Sequence, residues 1–70
     1  MSKNAIIKSL QTQEAKIWKI IDHRNNYVAD RSEAWQESDK CDEYEDITAE
    51  IESAVNELEY AIDALEELLL

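Results

Sequence analysis

Seventy residues without a single glycine or proline leave few folds open. Glycine supplies positive φ at turns, and proline stops helices and shapes loops. A chain lacking both has lost the usual punctuation of hairpin strands and phosphate-binding loops. Long helices joined by a tight polar turn are the comfortable solution. Apolar periodicity says the same. Ile7, Glu14, Ile21, Val28 and Trp35 form one seven-residue series, and Lys3, Leu10, Ile17, Arg24 and Arg31 its partner. Ile6, Ile20 and Tyr27 flank this stripe on one side and Trp18 on the other. The pattern predicts an amphipathic helix from about residue 4 to about residue 37.

The segment from Glu37 to Asp42 has Cys41 as its only apolar residue and predicts a turn at about 38–42. Asp42 followed by Glu45 has the form of a capping box opening a second helix, about 43–68. There Tyr44, Ile47, Ile51, Ala54, Leu58, Ala61, Leu65 and Leu68 alternate spacings of three and four, with Val55, Ile62 and Leu69 along one edge. Glu45, Glu52, Glu59 and Glu66 line one flank, and Glu43, Glu50 and Glu57 the other. The expected fold is all-α: an antiparallel two-helix hairpin, one domain over residues 1–70. A turn near residue 40 would set Arg31 beside Glu50, Arg24 beside Glu57 and Ile17 beside Leu65. It would also leave Ile6, Ile7 and Leu10 overhanging. A domain this small has a marginal core, and one cysteine allows no intrachain disulfide. The expectation is therefore a homo-oligomeric bundle, with Ile6, Ile7, Leu10, Ile17, Trp18, Ile21, Leu58, Leu65 and Leu68 as its shared core.

The net charge of −10 is unevenly spread. Residues 1–38 are close to neutral, whereas residues 39–70 carry twelve acids and one lysine. This balance disfavours broad binding to a nucleic-acid backbone. No apolar run is long enough for a membrane span, and the N-terminal stretch does not read as a signal peptide. No Cys/His metal spacing and no catalytic motif is present; His23 is the single histidine, and its helix neighbours point elsewhere. The chain reads as a non-enzyme with no cofactor and no metal. Cys41 reads as a turn residue whose thiol pKa is raised by Asp39 and Asp42.

Arg24, Tyr27, Arg31 and Trp35 follow one another at spacings of three, four and four and should share a face. Two readings are open. The arginines could hold phosphate while Tyr27 and Trp35 stack on a base, as a small anionic, nucleotide-type ligand requires. Alternatively, Arg24 and Arg31 pair with Glu57 and Glu50 and set the register of the bundle. A third surface, the row Glu45, Glu52, Glu59 and Glu66, would suit a basic protein partner.

The run Arg31-Ser32-Glu33-Ala34-Trp35-Gln36-Glu37-Ser38-Asp39-Lys40-Cys41-Asp42-Glu43-Tyr44, continuing to Thr48, resembles a stretch of small bacteriophage-encoded helical-hairpin proteins of the form RSExWQESxKGxxY…T. It covers about a quarter of the chain, and an acidic helix rich in Leu and Ala follows it in both. Cys41 stands where that pattern often has glycine, a residue suited to a left-handed helix end. The resemblance implies a phage origin, residence in the host cytoplasm and action by binding. It does not itself imply an activity; by analogy with small phage accessory proteins, the expectation is a protein that counters host defence, either by sequestering a nucleotide signal or by covering a basic host protein surface as an acidic module or DNA mimic.

Overall fold

The computed structural model describes residues 3–69. It contains α1 (Lys3–Ala29), the single turn α2 (Glu33–Gln36) and α3 (Asp39–Leu69), with no strand among the described residues. The long helices α1 and α3 pack against each other, and α2 sits against α3 at the turn. The all-α hairpin expected from periodicity is what the chain forms.

Helix boundaries differ from that expectation. The first helix stops at Ala29 instead of continuing to about 37, and the last begins at Asp39 instead of about 43. Side chains that cap backbone are the reason. Ser32 adopts an extended ψ of 157° and accepts from the Trp35 N–H, so it opens α2. The Gln36 amide turns back to donate to the carbonyls of Val28 (2.8 Å) and Arg31 (3.1 Å), with a longer approach to Ala29 (3.5 Å). These include carbonyls that a helix C-terminus leaves without partners. Ser38 caps α3: its carbonyl and its hydroxyl both accept from the Cys41 N–H, and the hydroxyl donates to the Trp35 carbonyl. Asp42, expected to cap, lies in the first turn of α3, where with Asp39 it faces the positive end of the helix dipole. No described residue has positive φ. Cys41 is a buried helical residue, so this turn needs no glycine at that position.

The earlier turn moves the pairing register. Ile7 is 4% exposed, so the overhang expected for the start of α1 does not exist. The core comprises Ile7 and Ile21 from α1 and Cys41, Thr48, Val55 and Ile62 from α3. Leu10, Ile17, Val28, Tyr44, Ile51, Leu58, Leu65 and Leu69 are half-buried around it. Thus α3 turns the edge of its stripe inward, the row with Val55 and Ile62, and leaves Ile47, Ala54, Ala61 and Leu68 outside. Larger branched side chains fill the seam better than alanines do. Of the residues expected in a shared oligomer core, Ile7 and Ile21 are buried within the chain, while Ile6, Trp18 and Leu68 stay exposed.

Removing either cap should loosen the turn. Ser38→Ala and Gln36→Ala are each expected to cost about 1 kcal/mol. Thermal unfolding followed by circular dichroism should register this as a melting temperature lower by roughly 4–8 °C.

Candidate functional site

The chemistry-bearing side chains collect at the turn end of the hairpin. Arg24, half-buried on α1, donates from Nε to Thr48 Oγ1 (2.7 Å) and from a terminal nitrogen to the Tyr44 carbonyl (3.0 Å). The Thr48 hydroxyl donates onward to the same carbonyl at 3.1 Å. The Arg24 guanidinium also lies over the Tyr44 ring, 3.9 Å from its centroid. Tyr44 stacks on Tyr27 at 5.1 Å with 26° between the planes, and Arg31 lies 4.2 Å over Tyr27. The contacts therefore run in series: Arg31, Tyr27, Tyr44, Arg24. Trp35 meets both tyrosines edge-on, at 5.6 Å and 6.0 Å.

These contacts replace the carboxylate partners expected for the arginines. Arg24 faces Thr48 and Tyr44 where Glu57 was expected, and Arg31 lies on Tyr27 where Glu50 was expected. The cause is the shortened first helix, which slides α3 by most of two turns relative to the pairing that a turn near residue 40 implies. Arg24, Tyr27, Arg31 and Trp35 do come together, but Tyr44 and Thr48 complete the group and were not foreseen in it. The signal was present in Ser32 and Ser38. Each stands three residues before an inward side chain, Trp35 and Cys41, which is N-cap spacing.

The cluster is largely satisfied from within. Every described buried side-chain nitrogen or oxygen has a partner. Arg24 has committed its Nε, one terminal nitrogen and one face to the protein. The tyrosines offer a face to each other and edges of contact to Trp35. Base stacking between them is closed off in this arrangement. Arg31 and Tyr27 remain exposed at the surface.

The acidic row has the opposite character. Gln11 Nε2 donates to Glu66 Oε1 (2.8 Å), which puts the two helix flanks that carry these residues on one side of the hairpin. By seven-residue spacing that side collects Gln11, Trp18 and Asn25 from α1, with Ser32 of the turn beyond them, and Glu45, Glu52, Glu59 and Glu66 from α3. No lysine or arginine of α1 stands in that row. Trp18 is 36% exposed, and Tyr60, beside Glu59, is 76% exposed. Asn56, Glu59 and Tyr60 line a shallow open depression there.

Burial pushes the Cys41 thiol pKa up; Glu45 adds its charge and a hydrogen bond, and Asp42 adds a further charge. Asp39, expected to contribute, is not among the causes. Among the described residues no cluster of His, Cys, Asp or Glu could hold a metal ion, and no helix is long and apolar enough to cross a membrane.

The fold and site define an acidic helical hairpin closed at one end by an arginine–aromatic cluster. No protein-family model matches the chain, and no curated protein or solved structure matches it either.

Two measurements check this reading of the site. Arg24→Ala should destabilise the hairpin by about 1.5–3 kcal/mol, the worth of hydrogen bonds made by a charged donor. Arg31→Ala should cost no more than about 1 kcal/mol, the exposed cation–π range. Denaturant titration of both variants separates them. Cys41 should react slowly with a thiol reagent at neutral pH. A thiol pKa raised by folding contributes stability below the ordinary thiol pKa and loses it as pH rises through the folded value. Stability should therefore fall at alkaline pH, and Cys41→Ala should flatten that fall.

Proposed function

We propose that this chain is a non-catalytic binding protein whose acidic side docks on a basic surface of another protein. One observation carries the reading: Glu45, Glu52, Glu59 and Glu66 stand across from Gln11, Trp18, Asn25 and Ser32, with no cation in the row to neutralise them. Unneutralised carboxylates in a row steer a cationic partner and set its register. Trp18 and Tyr60 supply flat apolar anchors beside them, on which partner arginines stack. The resemblance of the Arg31–Tyr44 run to phage-encoded proteins fits a partner in the host cytoplasm. The natural owner of such a basic surface is a host protein that binds nucleic acid, and covering it is a route to blocking host defence.

Arg31 supports a second reading. It is exposed and held flat on Tyr27, so an anionic, nucleotide-type ligand could meet its N–H edge there. Arg24 and the facing tyrosine rings are engaged within the fold, which leaves this site poorer than the four-residue set implies. That is why the acidic side leads.

The test is a pull-down from bacterial lysate with wild type, with Glu45, Glu52, Glu59 and Glu66 all changed to Lys, and with Arg31→Ala. The expected result is a basic partner retained by wild type and by Arg31→Ala, eluted by high salt and lost on charge reversal. Nucleotide binding that disappears with Arg31→Ala, together with a partner indifferent to charge reversal, would replace the first reading with the second.

A further inference from the structure

The side of the hairpin opposite the acidic row is built differently. The Gln11–Glu66 bond fixes which flanks meet on one side, so the remaining flanks share the other. Seven-residue spacing assigns to it eight residues, Ile6, Gln13, Ile20 and Tyr27 from α1 and Ile47, Ala54, Ala61 and Leu68 from α3, with Lys40 continuing the α3 row next to the turn. None of the eight is charged. Ile6 is 39% exposed, Ile20 50%, Tyr27 41%, Ile47 50% and Leu68 79%. The Gln11–Glu66 and Arg24–Thr48 bonds bracket the register, which sets Ile6 near the level of Leu68, Gln13 near Ala61, Ile20 near Ala54 and Tyr27 near Ile47.

We propose that a second copy of this chain covers that side, related by a two-fold axis parallel to the helices, so that both turns lie at one end of a four-helix bundle. Three observations select a second copy in this orientation. The first is area. From Ile6 to Tyr27 the strip runs about 32 Å at 1.5 Å per residue, on a hairpin 16 Å wide, so each copy presents about 500 Å². The two together reach the roughly 1,000 Å² at the low end of specific interfaces. An uncharged strip of this length is larger than single apolar residues left by chance.

The second is shape. An axis along the helices lays α1 of one copy over α3 of the other, with the same levels facing each other. Ile20 then falls on Ala54 and Gln13 on Ala61, large on small at each middle level. The competing two-fold, perpendicular to the helices, lays each helix on its own copy. Ala54 then meets Ala61 and leaves a gap, while Ile6 meets Tyr27 and Ile47 meets Leu68. Interdigitated large and small side chains reach interior density, and paired alanines do not.

The third is charge. The positions bordering the strip are Ser9, Lys16, His23 and Asp30 on α1 and Glu43, Glu50, Glu57 and Ala64 on α3. With the axis along the helices, Lys16 comes level with Glu57 of the other copy, a pair of opposite charges. With the perpendicular axis, Glu50 and Glu57 of one copy face those of the other, and like charges oppose association. Asp30 and Glu43 are the one unfavourable level in the favoured orientation, next to the turn.

The proposal stands apart from the acidic-side reading, because it uses the other face. It also leaves Trp18 and Tyr60 outside the bundle and brings both Arg31–Tyr27 pairs to one end.

Native mass spectrometry of the full chain at micromolar concentration should give a dimer. A chain carrying Glu33→Cys with Cys41→Ala takes one nitroxide label at the turn, and pulsed electron spin resonance then reads the distance between the two copies. Labels at one end of the bundle should lie far closer than the 51 Å length of the hairpin. A distance approaching that length overturns the orientation, and a monomer overturns the dimer. Ile20→Glu with Ala54→Glu should abolish the dimer, whereas Trp18→Glu on the opposite side should leave it intact. A dimer lost with Trp18→Glu and kept by Ile20→Glu with Ala54→Glu would put the interface on the acidic side and overturn the proposal.

Discussion

Arg24 ties the two long helices together. Its guanidinium reaches from α1 to the Thr48 hydroxyl and the Tyr44 carbonyl on α3. Apolar contacts between two helices are tolerant of sliding, since neighbouring seven-residue steps bury similar side chains. Hydrogen bonds from a half-buried cation are not, because a slipped register would leave the charge without acceptors in a place water reaches poorly. The level at which Ile7 meets the end of α3, and the side on which Gln11 finds Glu66, both follow from this choice. So does the identity of the strip left uncovered.

The turn shows how a chain without glycine reverses direction. Each residue of the Arg31–Cys41 run that looked like a motif has a structural task. Ser32 and Ser38 begin helices, Gln36 covers the carbonyls at the end of α1, Trp35 packs edge-on against two tyrosines, and Cys41 fills the core. The turn is thus built from side-chain caps where a left-handed glycine is the commoner device.

Function follows from the division of the remaining surface. The α3 helix has an acid at every position of the row Glu45, Glu52, Glu59 and Glu66, whereas the row Ile47, Ala54, Ala61 and Leu68 has none and is bordered by Glu43, Glu50 and Glu57, so the hairpin has an acidic side and a side that is apolar along its middle. Each suits a different kind of partner: the acidic side a cationic surface, the apolar side a surface like itself. Within the group that sequence spacing marked as a ligand site, Tyr44 and Thr48 take up Arg24, and Tyr44 stacks against Tyr27.

Residue spacing alone determined that the chain forms two long helices and that they pair antiparallel. These follow from local periodicity, which depends on neighbours within a turn or two. The acidic flank was equally legible, because a flank is a property of one helix. The tertiary structure decided where α1 ends, which edge of the α3 stripe turns inward, and whether the arginines meet glutamates or Tyr44 and Thr48. The first depends on a side chain five to eight residues further along, and the other two on packing between the helices, none of which the spacing within one helix reveals. There the Gln36 amide, which no helical periodicity marks as a cap, ends α1 about two turns earlier than the apolar pattern does and carries every cross-helix pairing with it.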